Sequence, residues 1–244
     1  MHIAVKNTIL NIIAYFCSKT FSMKTTLKVI SFFIILSFAS CKKSTSITEE
    51  EGFDYGRVRN GKYSNTFFDI ELSVPKDWNI QNKEQRNAIL KEGAELITED
   101  NEAYKEALIK SAEINSANLL TVYKHNPNNQ TIEEYNTNFM LIAENIKAGN
   151  IKSGAEYLIH AKKVLEATTM DFTYTDDTFT ERDINGIQFY SMNIKINYMG
   201  IPIHQSYLAT VKNGFALGFI YSYIDNAQKD YIENNVIKTI KYTK

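Results

Sequence analysis

The sequence predicts an α+β domain whose sheet is mostly antiparallel. Three observations carry that prediction. Phe68, Ile70, Leu72 and Val74 alternate with polar residues, as do Tyr190, Met192, Ile194, Ile196 and Tyr198. Period two marks strands with one face buried. Asn213-Gly214 between apolar runs is a strong hairpin signal, since a type I′ turn needs positive φ at both residues. Apolar residues at helical spacing, behind capping residues, fall between and after these strands.

In chain order, the domain opens at Tyr63-Ser64-Asn65. Its first strand ends at Pro75-Lys76-Asp77-Trp78, because Pro75 cannot donate to a ladder. Trp78, the single tryptophan, is expected to plug the core beneath the sheet. Leu90, Ala94 and Ile97 share one helical face and Tyr104, Leu108 and Ala112 another. Leu119 to Lys124 reads as a short strand ended by Asn126-Pro127. Ile132, Tyr135, Phe139, Ile142, Ala143 and Ile146 fall on one stripe, and Thr131 with Glu134 forms a capping box. A helix is therefore expected there, stopped by Gly149-Asn150. Ser153 and Glu156 cap the next one, which buries Ala155, Leu158, Ile159 and Leu165. Sheet follows from about Phe172, with turns at Met199-Gly200 and Asn213-Gly214. A last helix, capped near Asp225-Asn226, buries Ile232, Val236 and Ile240.

Ahead of the domain the pattern changes. Met23 to Lys28 is a short basic start, Val29 to Phe38 is nearly all apolar, and Ala39-Ser40 are small, the three parts of a secretory signal. About ten apolar residues fit a signal core, whereas a spanning helix needs roughly twenty. Met1 to Ser22 reads as an upstream extension of the leader. The run Leu36-Ser37-Phe38-Ala39-Ser40-Cys41 resembles the lipobox of bacterial lipoproteins, with Phe38 where that family prefers leucine. The resemblance implies a diacylglyceryl thioether on Cys41, cleavage before it, and acylation of the new amino group. Two or three acyl chains hold a protein firmly on a membrane, which one chain does not.

Cleavage before Cys41 leaves 204 of the 244 residues. Of the 27 Lys and Arg, Lys6, Lys19, Lys24 and Lys28 lie in the leader, which holds no acid. The remaining 23 basic residues face 28 acidic ones, a balance that argues against nucleic acid as partner. Cys17 would leave with the leader, so no disulfide is available and packing must hold the core. Residues 41–60 are expected to be the lipidated cysteine and a tether, 61–244 one globular domain. The acidic run Glu49-Glu50-Glu51 in that tether is read as a solvated spacer, though it also resembles the export signals of some surface-displayed lipoproteins.

Tyr63-x-Asn65, an alternating strand and Pro75-x-x-Trp78 resemble the opening of PsbP-like domains. Asn185-Gly186, a meander with Gln205-Ser206-Tyr207, Asn213-Gly214 and a helix ending Ile237-Lys238-Thr239-Ile240 are similar to their closing half. The resemblance implies an antiparallel sheet between helices and an accessory, scaffolding or binding role, with the helical segment from about Asn82 to Glu113 as an addition.

Catalytic and metal chemistry is not signalled. His125, His160 and His204 lie in different elements, with no His-x-x-x-His spacing. Asp176-Asp177 with Glu181 and Asp183 is read as a turn rather than a hard-cation site, because neighbours on a strand point to opposite faces. No Gly-x-Ser-x-Gly, phosphate loop or dinucleotide fingerprint occurs. Tyr221 and Tyr223 are expected near Tyr190 and Tyr198 as sheet packing or as an interface. The expectation is a non-enzymatic, membrane-anchored accessory or binding module of the cell envelope, without cofactor or metal and with Cys41 as lipid-attachment site. An envelope protein is its expected partner. The alternative is a carrier of a small apolar ligand or lipid, held between the sheet and the Asn82 to Glu113 helices.

Overall fold

Strand alternation and hairpin chemistry build an antiparallel α+β architecture. The computed structural model describes residues 46–47, 50–98, 106, 109–110, 112, 114–128, 134–166, 168, 170–198 and 200–243. Cys41, the segment before it read as a secretory signal, Tyr104, Leu108, Thr131 and Ile132 lie outside the described residues. The strands are β1 Arg57–Arg59, β2 Lys62–Asn65, β3 Ile70–Ser73, β4 Asn79–Ile80, β5 Ser116–Tyr123, β6 Asn138–Asn145, β7 Phe172–Tyr174, β8 Thr180–Ile184, β9 Ile187–Tyr198, β10 Ile201–Lys212, β11 Phe215–Tyr223 and β12 Lys241–Tyr242. The helices are α1 Lys83–Thr98, α2 Gly154–Glu166 and α3 Asn226–Asn235.

The large sheet runs β4-β5-β6-β11-β10-β9-β7, with β8 also paired to β9, and every pairing is antiparallel. Alternation along its strands sends side chains into two cores. Met140, Ile142, Ile194, Tyr207 and Ile220 pack on one face with Leu158, Ala161 and Leu165 of α2. Phe139, Leu141, Phe189, Leu217 and Phe219 pack on the other, beneath the four-stranded sheet β1-β2-β3-β12 and α3. The expected strand at Phe68 to Val74 supplies the second core. Phe68, Ile70, Leu72 and Val74 are all buried.

Turn and cap chemistry fix these elements locally. Asn213 and Gly214 take φ of 53° and 79°, and Asn185 and Gly186 take 53° and 80°, the left-handed pairs of two-residue hairpins. Asn82 Oδ1 accepts from Gln85 N–H at 2.9 Å while Gln85 Oε1 accepts from Asn82 N–H at 2.8 Å, a reciprocal capping box on α1. Asp225 caps α3 by accepting from Gln228 N–H at 2.8 Å. At α2, Ser153 Oγ accepts from Glu156 N–H, and Glu156 returns to Lys152 N–H rather than to Ser153.

Two expectations are corrected. The stripe from Tyr135 to Ile146 is not a helix: Asn138–Asn145 is the central strand β6, between β5 and β11. Seven of its eight residues are buried because both faces of the sheet carry a core there, so no period of two survives to announce a strand. Glu134, expected to cap that helix, instead bonds Lys124 and His125. The tether also ends earlier than expected. Ile47 is buried, β1 pairs with β2, and Phe53 sets its ring 5.4–6.1 Å from those of Tyr55, Phe67, Phe68 and Phe215. Isolated apolar residues in a polar run, each too few to signal an element, find a prebuilt apolar surface to cover.

Candidate functional site

The sequence offered no catalytic constellation, and the fold separates the residues it singled out. His160 lies on α2, His125 follows β5, and His204 stacks on Tyr223 at 5.4 Å between ring centres. Burial, then Lys195 and Lys229, pull the His204 imidazole below its ordinary value. The acids disperse: Asp176 accepts from Asn193, Glu181 from Gln188, and Asp183 from Gly186 N–H. Among the described residues no group of three or more His, Cys, Asp or Glu is placed to hold a metal. The four tyrosines divide between faces. Tyr221 and Tyr223 belong to the core beneath the small sheet, while Tyr190 and Tyr198 pack against the α2 core. An odd number of residues along a strand or across the register changes the face, so nearness in the strand order did not bring them together.

The sheet–α2 interface is closed. Its cavity, lined by residues including Tyr157, Tyr207 and Gly218, measures about 10 Å³, the space of one water. Tyr157 donates to Glu144 Oε2 at 3.0 Å with both side chains buried. From the Asn82 to Glu113 segment, Ile89 and Ala112 are buried in the same core.

A larger opening lies at the other end of the chain's logic, where the β3–β4 turn, the β5–β6 ends and α3 meet. This cleft of about 250 Å³ is lined by Asp77, Trp78, Lys124, Thr137, Ala227, Gln228 and Tyr231. Pro75 ends the strand before it, and Trp78 N–H closes the turn onto Pro75 O at 3.2 Å, aiming the indole inward. Trp78 is buried as expected, and one of its faces carries Tyr231, with ring centres 5.8 Å apart and planes 11° from parallel. Tyr231 is 40 % exposed. Burial and the Asp77 carboxylate lift its phenol above the ordinary value, against opposing contributions from Lys124 and Trp78.

Polar groups converge on the cleft. Lys124 N–H bonds Thr137 O at 2.8 Å, which ties β5 to the lead-in of β6, and Lys124 Nζ pairs with Glu134 at 3.1 Å. That lysine, then His125, holds the Glu134 carboxyl below its ordinary value. Gln228 Oε1 accepts from Ile224 N–H at 3.0 Å, leaving its amide nitrogen as the free end. Thr137 is 2 % exposed, and its Oγ1 has no hydrogen-bond partner. Of the lining residues, sequence reasoning placed Trp78, as a core plug, and Asp77 in the turn before it, and it read the neighbouring Glu134 and His125 in other roles. The available signal was Ala227 and Tyr231 at i, i+4 on α3, off the stripe of Ile232 and Val236.

Neither a family model nor a curated protein matches the chain. The fold is similar to cyanobacterial PsbP of Synechocystis, at 13 % identity over 74 % of this chain and 91 % of that one, with a TM-score of 0.44. It is similar also to LpqN of Mycobacterium tuberculosis, described as involved in cell envelope biogenesis, at 14 % identity, 70 % and 82 % coverage and a TM-score of 0.41. A protein of Bacteroides thetaiotaomicron is similar at 14 % identity over 77 % of this chain and 50 % of that one, with a TM-score of 0.38. No helix among the described residues is long and apolar enough to cross a membrane.

Proposed function

We propose that this chain is a lipid-anchored, non-enzymatic binding module of a bacterial envelope, attached through Cys41 and recognising its ligand or partner at the Trp78–Tyr231 cleft. One observation carries the binding half of this reading. The cleft wall offers aromatic rings, a carboxylate, an ammonium, an amide and a hydroxyl, the equipment of recognition, and contains no nucleophile paired with a base. Trp78 belongs to the core beneath the small sheet and Ile89 to the opposite core, so this site differs from the space between sheet and Asn82 to Glu113 helices. The signal-like leader and the lipobox-like run ending at Cys41 support the anchor.

Two measurements test the two halves. Mass spectrometry of the membrane-extracted protein should find fatty acyl mass on Cys41, lost in Cys41→Ala; a water-soluble wild-type protein without that mass removes the anchor. Affinity capture from solubilised envelopes should enrich a partner with wild-type protein and lose it with Tyr231→Ala. Equal capture by both proteins removes the cleft from the reading.

A further inference from the structure

The geometry points to a neutral saccharide as the ligand of the Trp78–Tyr231 cleft, an inference that rests on the binding reading above and names its chemistry. Charge comes first. The lining carries one acid, Asp77, and one base, Lys124, whose charge Glu134 already pairs at 3.1 Å, so the wall holds no surplus positive charge for an anion and a single carboxylate that also accepts from neutral donors. Hydrogen-bonding capacity is high and of both kinds. Asp77 accepts, Lys124 keeps two of its three N–H donors beyond the bond to Glu134, and Gln228 turns its amide nitrogen free. A ligand that matches this set must itself donate and accept around its rim, as ring hydroxyls do.

Shape agrees with this chemistry. Tyr231 presents a flat ring to solvent, and the parallel indole behind it fixes that ring's orientation. A rigid aromatic platform offers area at little entropic cost, and the C–H face of a pyranose is apolar enough to lie on it. The volume of about 250 Å³ falls below the roughly 300–1,000 Å³ of drug-sized pockets and suits one or two rings. The unpartnered Thr137 Oγ1 is the independent sign that something polar belongs in this wall. A buried hydroxyl without a partner is unfavourable, and a ligand hydroxyl that reaches it would satisfy it.

The chain's single tryptophan makes the test direct, because Trp78 fluorescence reports this cleft alone. The full-length protein, in a detergent without a sugar headgroup, is titrated with cellotriose, maltotriose and chitotriose, and in parallel with choline and lysine. A saturable change is expected with at least one trisaccharide. It should weaken at least tenfold in Tyr231→Ala, an exposed position, and in Asp77→Asn and Thr137→Val, while Ile159→Ala on α2 leaves it unchanged. Thermal melts of each variant confirm that the fold persists. Silence toward all three sugars, or a sugar response that survives Tyr231→Ala undiminished, overturns the saccharide assignment. A response to choline or lysine alone, lost in Tyr231→Ala, overturns it too, yet leaves the cleft as a binding site.

Discussion

Arg182 grips Glu233 with both guanidinium nitrogens, at 3.0 Å from Nη1 to Oε1 and 2.8 Å from Nη2 to Oε2. The pair ties β8 at the sheet margin to α3, and Tyr221 of β11 donates to the same carboxylate. It thereby holds the helix that carries Tyr231 against the sheet.

Burial raises the Glu233 carboxyl, but the Arg182 and Tyr221 bonds outweigh it and leave the group below its ordinary value. Its folded value is thus lower than its unfolded one, so the stability it contributes is present above about pH 4.3 and disappears as pH falls through the folded value. Glu233→Gln should cost about 1–3 kcal/mol at neutral pH, discounted from a fully buried pair because Arg182 is partly exposed. Urea unfolding at several pH values checks this. The gap between wild type and variant should be constant from pH 7 to about 5 and narrow below about pH 4.

Gly154 opens α2 directly over β10, and a Cβ there would lie 2.1 Å from Ala209 O. Helix propensity alone favours Gly154→Ala by about 0.5–1 kcal/mol. The clash is with backbone, which cannot swing aside, and overpacking costs about 1–3 kcal/mol or more. The clash should win. Denaturant midpoints are expected to fall, with α2 loosened from the sheet.

The segment before residue 61 is part of the folded unit. Tyr63 donates its hydroxyl to Tyr55 O at 2.9 Å, and Asn65 Nδ2 donates to Asp54 O at 2.9 Å. A chain starting at residue 61 should melt well below one starting at residue 46. Phe53→Ala alone should cost about 1–3 kcal/mol, since the ring is only partly buried. Equal melting temperatures for the two chains would restore the longer tether.

Tyr157→Phe removes the donor that reaches the buried Glu144. The loss should be about 1–3 kcal/mol, because the hydroxyl's partner stays buried while the ring still fills its place. Equilibrium unfolding measures it, and the cavity of about 10 Å³ beside Tyr157 gives little room for a replacing water.

Sequence alone determined much of this protein. The hairpins at Asn185-Gly186 and Asn213-Gly214, the alternating strand from Phe68 to Val74, and the caps at Ser153 and Asp225 are local devices. Each depends on a residue's own φ preference or on a bond to a backbone group three residues away, so each is legible without the rest of the fold.

Tertiary structure alone decided the rest. Asn138–Asn145 became a strand because β5 and β11 flank it and cores cover both its faces, a context that erases the period by which strands are recognised. Phe53 and Ile47 joined the domain because an apolar surface was waiting for them. The cleft joins Asp77, Lys124, Thr137 and Tyr231, from segments about 150 residues apart at the extremes, and no local pattern encodes such a meeting. Turns and caps are set by near neighbours, whereas the strand at Asn138–Asn145, burial and convergence are set by whatever the chain folds against.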